Sequence, residues 1–148
     1  MANDMYHFDD IINKIFDFNE QVIGLKEVPL NPLTDEQHEW THKFCQEELR
    51  ELREAFEQQD MVKMVDAVAD LIYGAMGTFK KMGLAREQVR EVFAAVHAAN
   101  MTKKRGRTDR GSDEDAVKPA DFVPPEAVIA SILLAASPEA MAQAGDPL

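Results

Sequence analysis

Apolar residues recur along this chain at helical spacing in successive blocks. Phe8, Ile11, Ile12, Ile15, Phe18 and Val22 form the first, which predicts a helix reaching about Ile23. The segment "GLKEVPLNPL" then interrupts the pattern with a glycine and two prolines. "TDEQ" has the form of a capping box, Thr34 answering Gln37 three residues on, and opens a second helix that continues through Glu57. "QQD" is a short connector in which Asp60 can cap a third helix, running to Met82 and stopping at Gly83. Residues 85–99, "AREQVREVFAAVHAA", predict a fourth, with Val89, Val92, Phe93 and Val96 as its inward stripe. From Asn100 to Pro125 there is no periodicity, only charges, glycines and prolines. "PPEAVIASILLAA" restarts a short helix, and "SPEAMAQAG" carries the cap, proline and closing glycine of a further turn or two. With no strand-like alternation and no internal repeat, the expected fold is all-α. Short connections between long helices predict an antiparallel bundle. It is read as one domain over residues 1–125, with 126–148 a short helical extension of it.

The second and third helices carry the chemistry. Taken as an antiparallel hairpin turning near residues 58 and 59, they set residues of constant number sum at equal height. Glu47 with Asp70 and Glu51 with Asp66 both give 117. Glu47 and Glu51 lie four apart on one helix, as do Asp66 and Asp70 on the other, so each pair shares a face. Glu48 sits beside Glu51 at a spacing of three. Alone, the three glutamates would suit a solvated face. The aspartates sit in "MVDAVADLIYGAM", apolar almost all round, which predicts a largely buried helix. Two carboxylates ~5 Å apart repel by roughly 3 kcal/mol at an effective dielectric of about 20, so such a gathering calls for a cation. An all-oxygen set without His or Cys selects Mg²⁺ or Mn²⁺ over zinc. A carboxylate-bridged di-iron site would need Glu-x-x-His on two helices, and the sequence has that motif only once, at Glu39–His42. Magnesium held this way keeps positions for water and substrate phosphates, so the expected substrate carries a di- or triphosphate.

Composition narrows this reading. The 148 residues suffice for one core, and 45% hydrophobic content fits a globular chain. The longest apolar runs are too short to span a membrane. The acidic start "MANDMYHFDD" lacks the basic-then-apolar layout of a secretory signal, and Cys45, the single cysteine, cannot form an internal disulfide. A cytoplasmic location is therefore expected. A net charge of −11 disfavours nucleic acid as a partner, although "KKRGRTDR" gathers five of the 16 bases.

"EELRE" (Glu47, Glu48, Glu51), the hairpin, "DAVAD" and "LIYG" resemble the MazG-like all-α nucleoside triphosphate pyrophosphohydrolases, in particular the phosphoribosyl-ATP pyrophosphohydrolase-like, phage-type branch. "HAANMTKK" and "VKPADFVPP" resemble that branch too, so the similarity covers about residues 8–128. One position departs: the family's second motif is E-x-x-D, yet Ala67 stands three before Asp70, and Asp66 is the obvious substitute. The resemblance implies metal-dependent hydrolysis of a (deoxy)nucleoside triphosphate, dGTP or dUTP among the family's preferences, to the monophosphate and pyrophosphate. It implies Glu48, Glu51, Asp66 and Asp70 as metal ligands, Glu47 as the group that positions or deprotonates water, and a homodimer or homotetramer. A non-enzymatic helical interaction module and a phosphoribosyl-ATP pyrophosphohydrolase are the alternatives.

Other residues have two readings each. Lys103, Lys104, Arg105 and Arg107 either clamp a triphosphate or form a solvated basic loop; Lys118, in the family-like "VKPADFVPP", joins them as a candidate substrate contact. Asn100 either caps its helix or meets a phosphate or sugar. Asn19, on the first apolar stripe, is either a satisfied core amide or a reader of the base. Trp40, Phe44 and Tyr73 are expected in the core, as are His97 and Cys45. Gly74 and Gly77 are expected at a close helix contact.

Overall fold

The computed structural model describes residues 8–135, so the "SPEAMAQAG" reading lies outside the described residues. Helices α1 (Phe8–Gln21), α2 (Asp35–Glu57), α3 (Met61–Lys81) and α4 (Arg86–Asn100) are followed by strands β1 (Lys104–Gly106) and β2 (Asp115–Val117) and by α5 (Glu126–Ala135). The all-α class is thus as expected, apart from one two-stranded ribbon. The chain divides into two compact units, Met1–Arg86 and Glu87–Leu148.

In the first unit local chemistry sets the helix limits. The Gln37 backbone N–H donates to Thr34 Oγ1 at 3.2 Å and the Thr34 N–H donates to Gln37 Oε1 at 3.0 Å, closing the capping box that opens α2. Asp60 Oδ1 accepts from the Lys63 N–H at 3.1 Å and opens α3. Between them the turn needs one left-handed residue, Gln59, at φ 55°. Gly83, at φ 83°, ends the α3 turn, and a Cβ there would meet the carbonyl oxygens of Val28 and Pro29 at 2.6 Å. Only glycine suits both demands.

Helix α3 packs along α2 and, on another side, against α1. The contacts with its neighbours are close because of its glycines: a Cβ at Gly74 would overlap the ring of Phe44 on α2, and one at Gly77 would meet Asn19 Nδ2 on α1 at 3.0 Å. The buried apolar residues of this unit are Ile12, Ile15, Phe16, Ala55, Ala67, Met76 and Leu84. Charge completes the join. Lys80, 6% exposed, donates from Nζ to Glu20 Oε1 at 2.7 Å, and Arg86 reaches Asp17 at 2.8 Å and the Asn13 side chain at 3.1 Å.

The expectation that α3 is largely buried fails. Val62 is 79% exposed, and Met61, Val65, Val68 and Ile72 are also exposed, together with Leu49 and Phe56 on α2. An apolar surround signals burial only where neighbours exist to cover it, and one hairpin with α1 covers just part of α3.

In the second unit, β1 and β2 pair antiparallel with Arg105 opposite Ala116, where an irregular loop was expected. Three-residue strands are too short for an alternation signal. The ribbon is instead laced by charge, Arg105 to Glu114 at 2.7 Å, Arg107 to Asp113 at 2.8 Å and Arg110 to Asp115 at 2.6 Å. Thr108 also donates to Asp115, and the Arg110 guanidinium with these bonds holds the Asp115 carboxyl well below the usual carboxylate range.

Candidate active site

Of the five acids singled out in the sequence, Glu48 is the buried one, at 8% exposure. Its Oε2 is enclosed and has no hydrogen-bond partner among the described residues. Burial raises its pKa above the ordinary glutamate value, and the negative charges of Glu51, Asp70, Glu47 and Asp66 raise it further. The hairpin register therefore brings all five acids into one field, as their spacing predicted. Burial is distributed differently from the expectation. Asp66 and Asp70 are exposed, and the inward position on α3 belongs to Ala67, 2% exposed.

An enclosed carboxylate oxygen with no donor and four like charges around it is unstable on its own terms, because nothing offsets its desolvation. Its donors are all hard oxygens, the set that suits Mg²⁺ or Mn²⁺. As the side chains stand, among the described residues no three His, Cys, Asp or Glu converge closely enough to hold an ion. The oxygen ligands and the uncompensated negative charge are of the kind that a divalent cation would offset.

Of these acids, Glu48 and Asp70 line a cavity of about 820 Å³ in the first unit. Its lining follows the helix period. Glu36, Trp40, Phe44 and Glu48 come at every fourth residue of α2, facing Asp70, Gly74, Gly77 and Lys81 of α3 in antiparallel order. From Glu48 to Glu36 the groove runs about 18 Å, at about 1.5 Å per residue. Carboxylates line one end. At the other, Trp40 stacks with Phe44 at 5.4 Å between ring centroids, and Lys81 Nζ lies 3.3 Å from the Trp40 centroid. Burial pushes the Lys81 ammonium below the usual lysine pKa. Phe18 and Tyr73, edge to face at 5.5 Å, line the same space.

These aromatics correct the sequence reading, since Trp40 is 50% exposed and Phe44 and Tyr73 also face the cavity instead of filling a core. Asn19 matches the reading as a satisfied core amide. It is 7% exposed, its Nδ2 donates to the Ile15 carbonyl at 2.8 Å, and it lines the cavity, with the bonded amide leaving Oδ1 as an acceptor. Glu36, Gln37 and Lys81 were missed. The signal was available in the four-residue repeat Glu36, Trp40, Phe44, Glu48, which reads as a surface stripe until α3 is laid against it.

The remaining candidates belong to the second unit. Asn100 is the last residue of α4, and its carbonyl accepts from the Lys103 N–H at 3.1 Å. Lys103 and Lys118 both lie near the Phe122 ring, with Nζ atoms 5.6 and 5.2 Å from its centroid. Lys104 is exposed, and Arg105 is paired to Glu114. His97, expected to pack, is exposed, and Cys45 in the first unit is half-buried. Among the described residues no helix is long and apolar enough to cross a membrane.

The sequence model of one protein family, described as phosphoribosyl-ATP pyrophosphohydrolase, matches residues 17–100, which include every element of the hairpin and α4. No curated protein matches the chain. With more than half of its length matched, the chain belongs to this family, and its activity class is nucleotide pyrophosphohydrolysis.

Proposed function

We propose that this member of the phosphoribosyl-ATP pyrophosphohydrolase family hydrolyses a (deoxy)nucleoside triphosphate, dGTP or dUTP, to the monophosphate and pyrophosphate, in a reaction that depends on Mg²⁺ or Mn²⁺. The observation that carries the reading is Glu48: a buried carboxylate with an unpartnered oxygen, charged on all sides by acids, at one end of a groove lined by aromatic rings. Glu48, Glu51, Asp66 and Asp70 would hold the cation, which supplies charge to neutralise phosphate oxygens and acidify a nearby water. Glu47, exposed beside them, positions that water and takes its proton. The water oxygen bonds to the α-phosphorus as the bond from that phosphorus to the bridging oxygen breaks, and pyrophosphate leaves with the electron pair. The acids also act before chemistry, repelling a bare triphosphate and so admitting the nucleotide only with its cation. Lys103, Lys104, Arg105 and Lys118 remain candidates for phosphate contacts, and Asn100 for a phosphate or sugar contact.

The test is pyrophosphate release from each common NTP and dNTP with Mg²⁺ and Mn²⁺. The family's description makes phosphoribosyl-ATP the second substrate to include. Release from one or a few nucleotides, abolished by EDTA, is expected; no release from any of them would end the reading and leave a helical interaction module. The exposed apolar residues of the hairpin, Leu49, Phe56, Met61, Val62, Val65 and Ile72, support self-association as a dimer or tetramer. Sedimentation showing only a 16.6 kDa species at micromolar concentration would refute that part.

A further inference from the structure

We infer that Glu36 and Lys81, together with Trp40, form a reader at the far end of the groove for the edge of a guanine-type base. This rests on the nucleotide reading above and goes beyond it by naming the groups that choose the substrate. Three observations place them. Glu36 on α2 and Lys81 on α3 share a number sum of 117 and line one cavity with the acids about 18 Å away, at about 1.5 Å per helical residue. A phosphate end and a base end are thereby separated along one axis. Neither charge is paired with an opposite one among the described residues: Glu36 has no ion pair, and the Lys81 ammonium rests over the Trp40 ring at 3.3 Å. Finally, the Trp40 ring is half-exposed, with Phe44 stacked at 5.4 Å and the Lys81 ammonium over it, so a flat heterocycle gains a face once that ammonium turns to a carbonyl oxygen.

The chemistry selects the base. A carboxylate only accepts hydrogen bonds and an ammonium only donates them. Guanine presents two adjacent N–H groups, on N1 and the 2-amino nitrogen, beside the O6 carbonyl. Glu36 accepts from both, and Lys81 donates to O6 as the ring takes its place over Trp40. The partly desolvated ammonium exchanges a ring face for a carbonyl oxygen, a better acceptor. Adenine and cytosine would set a ring-nitrogen lone pair against Glu36. Uracil offers one N–H flanked by two carbonyl oxygens, one of which would face the carboxylate. Hypoxanthine keeps N1–H and O6 but lacks the amino group, so it isolates the second bond to Glu36.

Trp40 is the only tryptophan, so its emission reports this end of the groove directly. Wild type, Glu36→Gln and Lys81→Met are titrated with α,β-imido-dGTP, -dITP, -dATP and -dUTP in Mg²⁺, following Trp40 fluorescence, beside KM and kcat for the cleavable nucleotides. Expected are tightest binding of the dGTP analogue, a weaker response to dITP, and a preference for dGTP over dATP that falls about ten- to a hundredfold in each variant, through KM. Lys81→Arg should recover part of the preference. Equal binding of dGTP and dATP analogues by wild type, or unchanged selectivity in both variants, overturns the inference. Pyrophosphate release with Trp40 emission indifferent to nucleotide also overturns it, and leaves the hydrolase reading standing. Discriminating fluorescence without release of pyrophosphate does the reverse.

Discussion

Replacing Glu48 by glutamine should stabilise the metal-free protein and cripple the metal-loaded one. The side chain is 8% exposed, its Oε2 has no partner, and the charges of Glu51, Asp70, Glu47 and Asp66 act on it together with burial to raise its pKa. One carboxylate pair at ~5 Å is worth roughly 3 kcal/mol at an effective dielectric of about 20. The four neighbours are less buried than Glu48, so solvent screens part of this, and a net gain of about 1–2 kcal/mol is the reasonable expectation. At this chain length that is a rise in Tm of about 2–8 °C in EDTA. The pH dependence has a definite sign. An acid whose folded pKa is raised binds more protons folded than unfolded, so its penalty is absent below the unfolded pKa and complete above the folded one. The gap between Glu48→Gln and wild type should therefore be widest at neutral pH and close as pH falls through the raised value. With Mg²⁺ the order inverts, since wild type gains about 2.7 kcal/mol at a hundredfold excess over Kd and the variant loses a ligand. Thermal melts at pH 5 and 7.5, each with EDTA or Mg²⁺, read all four states. A variant less stable than wild type in EDTA at pH 7.5 would mean that Glu48 makes a structural contact after all, and the reasoning would be wrong.

Glu51→Gln and Asp70→Asn should each abolish pyrophosphate release while keeping the helical circular dichroism spectrum, and Asp66→Ala should be nearly as damaging; wild-type turnover in any of them removes that residue from the ligand set. Gly74→Ala should lower the Tm and weaken nucleotide binding, because its Cβ would overlap the Phe44 ring that lines the groove; an unchanged melt would mean that α2 and α3 separate at little cost. Glu20→Gln should destabilise by about 1–2 kcal/mol, since it leaves the buried Lys80 ammonium a neutral acceptor in place of its opposite charge. The hydrogen bond from Lys80 lowers the Glu20 pKa, so this stabilisation is present above the unfolded value and is lost as pH falls through the lower folded one. Urea titrations of both proteins at pH 7 and pH 3 should show the difference shrinking in acid.

The parts legible in the sequence are those decided within a few residues. Thr34 with Gln37, Asp60 and Gly83 mark helix ends because a cap satisfies backbone groups of its own first or last turn, whatever the rest of the chain does. The register of the acids was legible for a related reason: a helix has a fixed rise, so a short turn near Gln59 determines which residues of α2 and α3 stand level. Burial was not legible. The apolar surround of Asp66 and Asp70 promised an enclosed helix, but a helix is covered only by neighbours, and α1 and α2 reach other sides of it; the enclosed acid is Glu48, and the inward place on α3 falls to Ala67. Nor could periodicity announce a ribbon of two three-residue strands, held by arginine–carboxylate pairs across a turn. Above all, Glu36, Trp40 and Lys81 carry no motif. They become one end of a groove only when Phe44 closes on Gly74, and Asn19 on Gly77, since that contact between distant segments sets the cavity's walls and brings a carboxylate, an indole and an ammonium to one place.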